Sequence, residues 1–328
     1  MSLFTPRDLD VRRLGDPAGE AFGPGTPDRW LALDLTADAS GAEGLAEWLR
    51  TLPCPVIGLG DARHSSLAAA CDAVVERPEA LDAIRATIAA CPITAMTFVQ
   101  LLRLIDGLAP EQALTAESLA YGVLQAGPEF RRWREGASVP PPFVGDVGPP
   151  VIIDRRDERL ALTLNRPGDR NALSLEMRDA LVEALDLAAI DDTIAEILLS
   201  AAGRCFSVGG DLREFGLAAD PATAHWVRSV RSPARAVLRV ANRLTAHVHG
   251  ACIGAGVELP AFAARVTATR DAFFQLPELK MGLLPGSGGC VSLSRRIGRQ
   301  KTALMALSGR RINSATALAW GLVDEIVD

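Results

Sequence analysis

Two glutamates in this chain stand where carboxylates are costly. Glu258 lies in "GACIGAGVELPAFAA" (residues 250–264), behind three glycines and among apolar residues. Glu278 lies in "FFQLPELKMGLLPGSGG" (residues 273–289), with a glycine-rich turn and a helix start just behind it. Burial disfavours the charged form of each, and each ion repels the other, so both pKa values are expected above the ordinary carboxylate range. Such a pair suits general acid and base work near neutral pH. A third stretch, "CFSVGGDLREF" (residues 205–215), reads as a strand running into Gly209-Gly210, with a helix or turn from Asp211. Paired glycines let backbone N–H groups approach a ligand closely. Gly254-Ala255-Gly256 precede a helix, whose first N–H groups are free and carry the positive end of its dipole. Two such N–H groups aimed at one point make an oxyanion hole. Taken singly these features have bland readings: paired glycines before a helix usually serve packing, and a semi-buried glutamate is usually salt-bridged. Their order and spacing are what is specific.

The elements that must position these residues alternate between strand and helix. "VIIDRRDERLALTLN" reads as a hairpin of two strands. Ser174 caps a helix whose apolar face is Met177, Leu181, Leu185 and Ala188. "EILLSAA" reads as a short buried strand, 221–244 as helical, "AHVHG" as a strand carrying His247 and His249, "AGVELPAFAA" as a helix and "RVTAT" as a strand. This alternation argues for an α/β fold. Five prolines in residues 140–150 mark a linker at 136–150, which divides the chain into 1–135 and 151–328.

The upstream part repeats some of this order in reduced form. "WLALDL" matches the type of "EILLSAA", "AEGLAEWLRTL" is an amphipathic helix, and "CPVIGLGDARHSSLAAACDAVV" can be laid over "TAHVHGACIGAGVELPAFAARVT". Ser66 then falls where Glu258 stands, and the glycines are gone. Residues 28–76 are expected to form a small β/α unit and 78–135 helices, with Leu81, Ile84, Ile88, Met96, Val99, Leu102 and Leu119 as docking positions.

Composition narrows the function classes. A chain of 328 residues, 48% hydrophobic, buries a sizeable core. Its net charge of −6 is dispersed, which points away from nucleic-acid and anionic-membrane partners. Apolar runs fall short of the ~18–20 residues of a membrane span, and the first 15 residues carry charges where a signal peptide needs an apolar run. Six cysteines without a CxxC pair and four scattered histidines suggest reduced thiols, a cytoplasmic setting and no metal cluster.

In order and spacing, "LTLNRPGDRNALS", "GRCFSVGGDLREF", "HGACIGAGVEL", "FQLPELKMGLLPGSGG" and "SGRRINSATALAWGLVDEIV" resemble the crotonase, or enoyl-CoA hydratase/isomerase, superfamily over residues 151–328. The resemblance implies a crotonase-like spiral of ββα repeats, preceded here by a smaller degenerate α/β unit with helices. It implies an acyl-CoA thioester substrate whose carbonyl oxygen lies between the N–H groups of Gly210 and Ala255. Coenzyme A is part of that substrate, and no separate cofactor is called for. The CoA contacts would fall on Gly168, Asp169 and Arg170 and on Val208, Asp211 and Leu212. In members that hydrate enoyl-CoA, glutamates stand at the positions of Glu258 and Glu278, and the backbone at Gly286 helps hold the water. Retention of both acids favours a hydratase. A crotonase-fold isomerase or hydrolase is the second reading. A non-catalytic acyl-CoA-binding or assembly subunit is the third, and a Glu258 turned away from the hole would favour it. A homo-oligomer, a trimer or a multiple of one, is implied as well.

Three departures accompany the resemblance. Pro260 follows Glu258 where the family's helix usually continues, and well inside a helix it would kink the chain. Ala264 stands where members often carry an acid, whereas Asp72 keeps one in the upstream copy. The helices that in family members follow "GLVDEIV" and close the acyl pocket have a counterpart in character upstream, in residues 80–135, which are expected to serve in their place.

Overall fold

Short leucine- and valine-rich runs, separated by helices, build the first half as a parallel sheet. The computed structural model describes residues 3–40, 43–61, 65–138, 140–141, 145–218 and 220–328. Strands β1 (Leu3–Phe4), β2 (Leu31–Asp34), β3 (Val56–Leu59) and β4 (Ala73–Val75) lie side by side in that order, all parallel. Helix α1 (Pro6–Gly15) follows β1, α2 (Leu45–Thr51) joins β2 to β3, and α3 (Ser66–Ala70) joins β3 to β4. Strands covered on both faces need no polar alternation, which is why "LALD" and "VIGL" are nearly continuous apolar runs. Leu9, Leu45 and Leu49 cover one face of the sheet, while Ile57, Ala73 and Val75 on the other belong to the main core. This is the β/α unit expected over 28–76. Ser66 opens α3 and is exposed. Residues 62–64 of the overlaid segment lie outside the described residues.

Helices α4 (Ala80–Ala90), α5 (Pro92–Leu104), α6 (Pro110–Gln125) and α7 (Pro128–Gly136) follow. Proline at the first position of α5, α6 and α7 costs nothing, because the N–H it lacks would have had no partner. Leu81, Ile84, Ile88, Val99 and Leu102 are buried and Met96 is half-buried. Leu119 departs from expectation at 53% exposed: the inward stripe of α6 runs through Leu114, Glu117 and Ser118, and Leu119 lies one position past it. Between Gly136 and β5 the described residues form neither helix nor strand, and Val139 and residues 142–144 of the expected linker lie outside the described residues.

The second half opens with the antiparallel hairpin β5 (Val151–Arg156) and β6 (Arg159–Leu164). Then come α8 (Leu175–Ile190), β7 (Glu196–Ala201), α9 (Pro221–Val230), α10 (Pro233–Val240), β8 (Leu244–Val248), β9 (Ala251–Ile253) and α11 (Ala255–Glu258). The chain continues through β10 (Arg265–Thr269), β11 (Phe273–Gln275), α12 (Gly289–Ile297), α13 (Arg299–Ser308), β12 (Ile312–Asn313), α14 (Ser314–Trp320) and β13 (Glu325–Val327). One sheet has the order β13-β10-β8-β7-β6-β5, parallel apart from the hairpin, and a small one the order β12-β11-β9. The Ser174 hydroxyl accepts from Met177 N at 3.2 Å, capping α8 as expected, and Met177, Leu181, Leu185 and Ala188 form its buried face.

Three local expectations are corrected. Strand β7 is half-covered: Ile197 and Leu199 are buried while Leu198 is 41% exposed. Residues 205–210 make isolated bridges, Ser207 with Cys252 and Gly210 with Leu173, in place of a strand, and a turn follows. The helix expected over 255–264 stops after α11, and Pro260–Phe262 form a 3-10 turn, since proline cannot donate the next helical hydrogen bond.

A buried carboxylate fastens the two halves. Asp72, fully buried, accepts from Val56 N at 2.8 Å, from Arg103 Nε at 2.8 Å and Nη2 at 2.5 Å, and from Arg299 Nη1 at 3.1 Å. β3, α5 and α13 thus meet on one charge, and α13 also packs along α4. Among the described residues no single helix is long and apolar enough to cross a membrane; α4 and α5 pass jointly by length and composition, yet bend by 110° between them. A chain beginning at Val151 would expose the surface that covers Phe98, Val99 and Leu102, each worth roughly 1.5–3 kcal/mol when buried. Such a chain is expected to aggregate or to lose its fixed tertiary packing, read by size-exclusion chromatography and near-UV circular dichroism. A soluble, cooperatively folding 151–328 fragment would contradict this.

Candidate active site

The glycines at 209 and 254 bring two backbone segments together. Gly254 has φ +52°, and a Cβ there would stand 2.5 Å from Glu278 Oε1 and 3.8 Å from Glu258 Oε1. No other residue fits, and the two carboxyl groups flank the same point. α11 begins directly after it, so the N–H of Ala255 is free of the helix ladder. Neither the Ala255 N–H nor the Gly210 N–H has a hydrogen-bond partner among the described residues. The Gly209 loop is fixed from behind: Gly209 N donates to Ser207 Oγ at 3.1 Å, and that hydroxyl donates to Asn171 O at 2.7 Å. The buried Asn171 side chain in turn donates to Ala202 O and Cys205 O. Two unpaired donors on a braced backbone are what a developing oxyanion requires.

Glu258, Glu278, Gly210, Ala255 and Gly286 all line one pocket. Glu258 is almost fully buried, and burial pushes its pKa up to about 7, against the lowering effect of two backbone donors. Those donors are Ser287 N at 2.7 Å and Gly289 N at 2.9 Å, both on Oε2. Glu278 has less relief: only its own backbone N–H acts on the carboxyl, and its Oε2 is buried without a partner among the described residues. Burial first, and the nearby Glu258 second, hold its pKa well above the usual value. Two carboxyls in one pocket thus differ in what surrounds them, and that difference sets which gives up its proton first.

A third carboxylate enters from the other half. Glu117 on α6 is buried and accepts from Gly288 N at 2.7 Å and Cys290 N at 2.9 Å. The N–H groups of residues 287 to 290 therefore alternate between Glu258 and Glu117, at the N-terminus of α12, where anions are favoured. Burial and the charge of Glu258 raise the Glu117 pKa. One turn along α6, the Tyr121 ring fills the space beside Gly286: a Cβ there would lie 2.3 Å from the ring. Local spacing gave no sign of Glu117 or Tyr121. The available signal was a lone glutamate on the apolar stripe of α6.

The remaining expected residues lie on two loops near the pocket. Gly168 and Asp169 sit in a 3-10 turn and Arg170 follows with φ +55°. Val208 N donates to Arg170 O at 3.2 Å, and the Arg213 guanidinium pairs with both Asp169 and Asp211. Asp211 lines the pocket; Gly168, Asp169, Arg170, Val208 and Leu212 are not among its lining residues. Arg213, which joins the two loops, was not anticipated.

The model of the family described as "Enoyl-CoA hydratase/isomerase" matches residues 157–328. A 2,3-dehydroadipyl-CoA hydratase of Escherichia coli is 37% identical over 177 residues, covering 54% of this chain and 68% of the relative. A 1,2-epoxyphenylacetyl-CoA isomerase of the same organism is 34% identical over 173 residues, covering 52% and 66%. Among solved structures, an enoyl-CoA hydratase of Mycobacterium smegmatis is 34% identical with a TM-score of 0.50, covering 55% of this chain and 70% of that one. The α/β crotonase fold of the second half is shared with it; the upstream sheet and its helices lie outside the family match.

Raised carboxyl pKa values have a consequence for stability. Where the folded-state pKa exceeds the unfolded one, the folded state holds the extra proton, and the contribution present below about pH 4.5 is lost as pH rises through the folded value. For Glu258 that window ends near pH 7. Glu278, whose Oε2 has no donor among the described residues, shifts in the same direction, and Glu278→Gln removes its charge. Its melting temperature at pH 8 is expected to exceed that of the wild type by a few degrees, ~1–2 kcal/mol, with a smaller gap at pH 5. An equal gap at both pH values would exclude an ionising Glu278.

Proposed function

The chain belongs to the enoyl-CoA hydratase/isomerase family, and from that premise we propose that it adds water across the 2,3 double bond of a 2-enoyl-CoA thioester. The observation that carries this reading is the pairing of two unpartnered N–H groups, Gly210 and Ala255, with two carboxyls of unequal surroundings in one pocket. The thioester oxygen lies between the two N–H groups, which stabilise it as the carbonyl gains enolate character. Glu258, whose anion has two backbone donors, takes a proton from water held beside Gly286 as the oxygen bonds to Cβ. Glu278, whose Oε2 has no donor to stabilise it as an anion among the described residues, delivers its proton to Cα. Water is consumed whole, and one later proton exchange between the acids restores both.

On this reading Gly168, Asp169 and Arg170 with Val208, Asp211 and Leu212 cradle the CoA moiety, and helix α6, through Leu114, Glu117, Ser118 and Tyr121, supplies a wall of the acyl pocket. The relative named as an isomerase keeps a double-bond shift as the second reading. Glu258 lines the pocket and does not turn from it, which counts against a subunit without turnover. A cytoplasmic setting accords with six buried free cysteines. Self-association accords with Ile152 and Ile153, exposed on the edge strand β5.

Incubation with crotonyl-CoA and longer 2-enoyl-CoAs, following loss of the conjugated thioester absorbance, tests the reaction itself; stable absorbance with every thioester refutes a hydratase. Glu258→Gln and Glu278→Gln are each expected to lower kcat by ~10²–10⁴ with little change in thioester affinity. Since Glu258 must be ionised, the rate should climb as pH passes about 7, and it should fall at higher pH as Glu278 loses its proton. Gly210→Pro deletes a donor and should abolish turnover; near wild-type rates in that variant would place the thioester elsewhere.

A further inference from the structure

Four arginines, Arg178, Arg228, Arg231 and Arg235, line the same pocket. Three have a carboxylate partner: Arg178 has Asp179 at 2.8 Å, Arg231 has Glu183 at 3.5 Å, and Arg235 has Glu111. Among the described residues none lies within ion-pair distance of Arg228, although it is half-buried between α6 and α9 and burial lowers its pKa. Glu117, the acid beside Ser118, is already committed to Gly288 N and Cys290 N.

The Arg228 contacts leave capacity for a ligand. Nε donates to Ser118 Oγ at 2.9 Å, Nη2 to Ser118 O at 3.3 Å and Nη1 to Gln125 Oε1 at 3.5 Å, while the guanidinium lies 4.7 Å from the Tyr121 ring centroid. A guanidinium carries five N–H donors. These contacts use one on each nitrogen, so Nη1 and Nη2 each keep one. A carboxylate has two oxygens to match two such donors, and Arg is the side chain best suited to hold one where water is scarce. Glu117 and the Tyr121 ring offset only part of the cost of burying this cation, and a ligand anion would lower it further.

Its position tells which end of the substrate is met. Tyr121 packs on Gly286, beside the Ser287 N–H that holds Glu258, and Arg228 lies against the same ring. The Tyr121 ring thus stands between Arg228 and the Gly286 segment, on the wall formed by α6 and α9. The loops at 168–170 and 208–212 are tied by a different arginine, Arg213. We propose that the acyl chain ends in a carboxylate bound by Arg228, so that the substrates are thioesters of short dicarboxylic acids. This rests on the acyl-thioester reading of the site.

Binding of saturated thioesters tests it without requiring hydration. Isothermal titration calorimetry compares adipyl-CoA, which has a terminal carboxylate, with hexanoyl-CoA, which has the same chain length and none. The wild type is expected to bind adipyl-CoA at least ~10-fold more tightly. Arg228→Met should bring that ratio close to one, and Arg228→Lys should keep part of it. Should Arg228→Met prove unfolded by circular dichroism, Arg228→Gln makes the same comparison. Equal affinities in the wild type, or a preference that survives loss of the guanidinium, overturn the proposal while hexanoyl-CoA binding upholds the thioester reading. Failure of the wild type to bind either thioester sinks both.

Discussion

The first turn of α12 is held by two carboxylates that arrive from different halves of the chain. Glu258 takes the N–H groups of Ser287 and Gly289, and Glu117 takes those of Gly288 and Cys290. A helix start has several N–H groups with no ladder partner, and burying them unpaired would be costly. Here that need is met by acids that would be just as costly alone. Each group makes the burial of the other tolerable, and the arrangement exists only when α6 is docked. The segment that carries Gly286 is therefore formed by the union of the halves, 171 residues apart in sequence at the Glu117 to Gly288 bond.

That union also separates the two acids of the pocket. Glu258 and Glu278 share burial, so desolvation raises both. Glu258 receives two backbone donors from the α12 segment, which favour its anion, whereas Glu278 has only its own backbone N–H. Gly254 enforces the arrangement from the other side, because any side chain there would occupy the place of the Glu278 carboxyl. Burial sets the raised level of both acids, and hydrogen-bond supply sets the difference between them.

Much of the site was legible because its parts are local. Glu258 and Glu278 each sit within a few residues of the glycines they need, so the strings around them carry the information. Gly210 and Ala255 were readable for the same reason, since a glycine pair and a helix start are short-range features. Glu117, Tyr121 and Arg228 were not. Their significance comes from which helix packs on which, and a glutamate on an apolar stripe is indistinguishable in sequence from a salt-bridged one. Leu119 shows the same limit in reverse, since a plausible apolar position of α6 turned out just beyond the buried stripe. The edges of elements failed for local reasons: Pro260 ended α11 after one turn, and the bridges at Ser207 and Gly210 replaced a strand because that segment serves a loop.

The brevity of α11 explains why so much rests on hydrogen bonds from outside it. A longer helix would fix Glu258 through its own ladder, and four residues provide little of that. The position is set instead by three contacts with one neighbouring segment: Ser287 N and Gly289 N on the carboxylate, and the Ser292 hydroxyl on the Glu258 carbonyl at 2.7 Å. α12 therefore acts as the frame for Glu258, and Glu117 as the pin that holds the frame. An error in docking α6 would move Glu258 even though neither residue touches the other's helix in sequence, and the geometry of the pocket is bound to the packing of the whole chain.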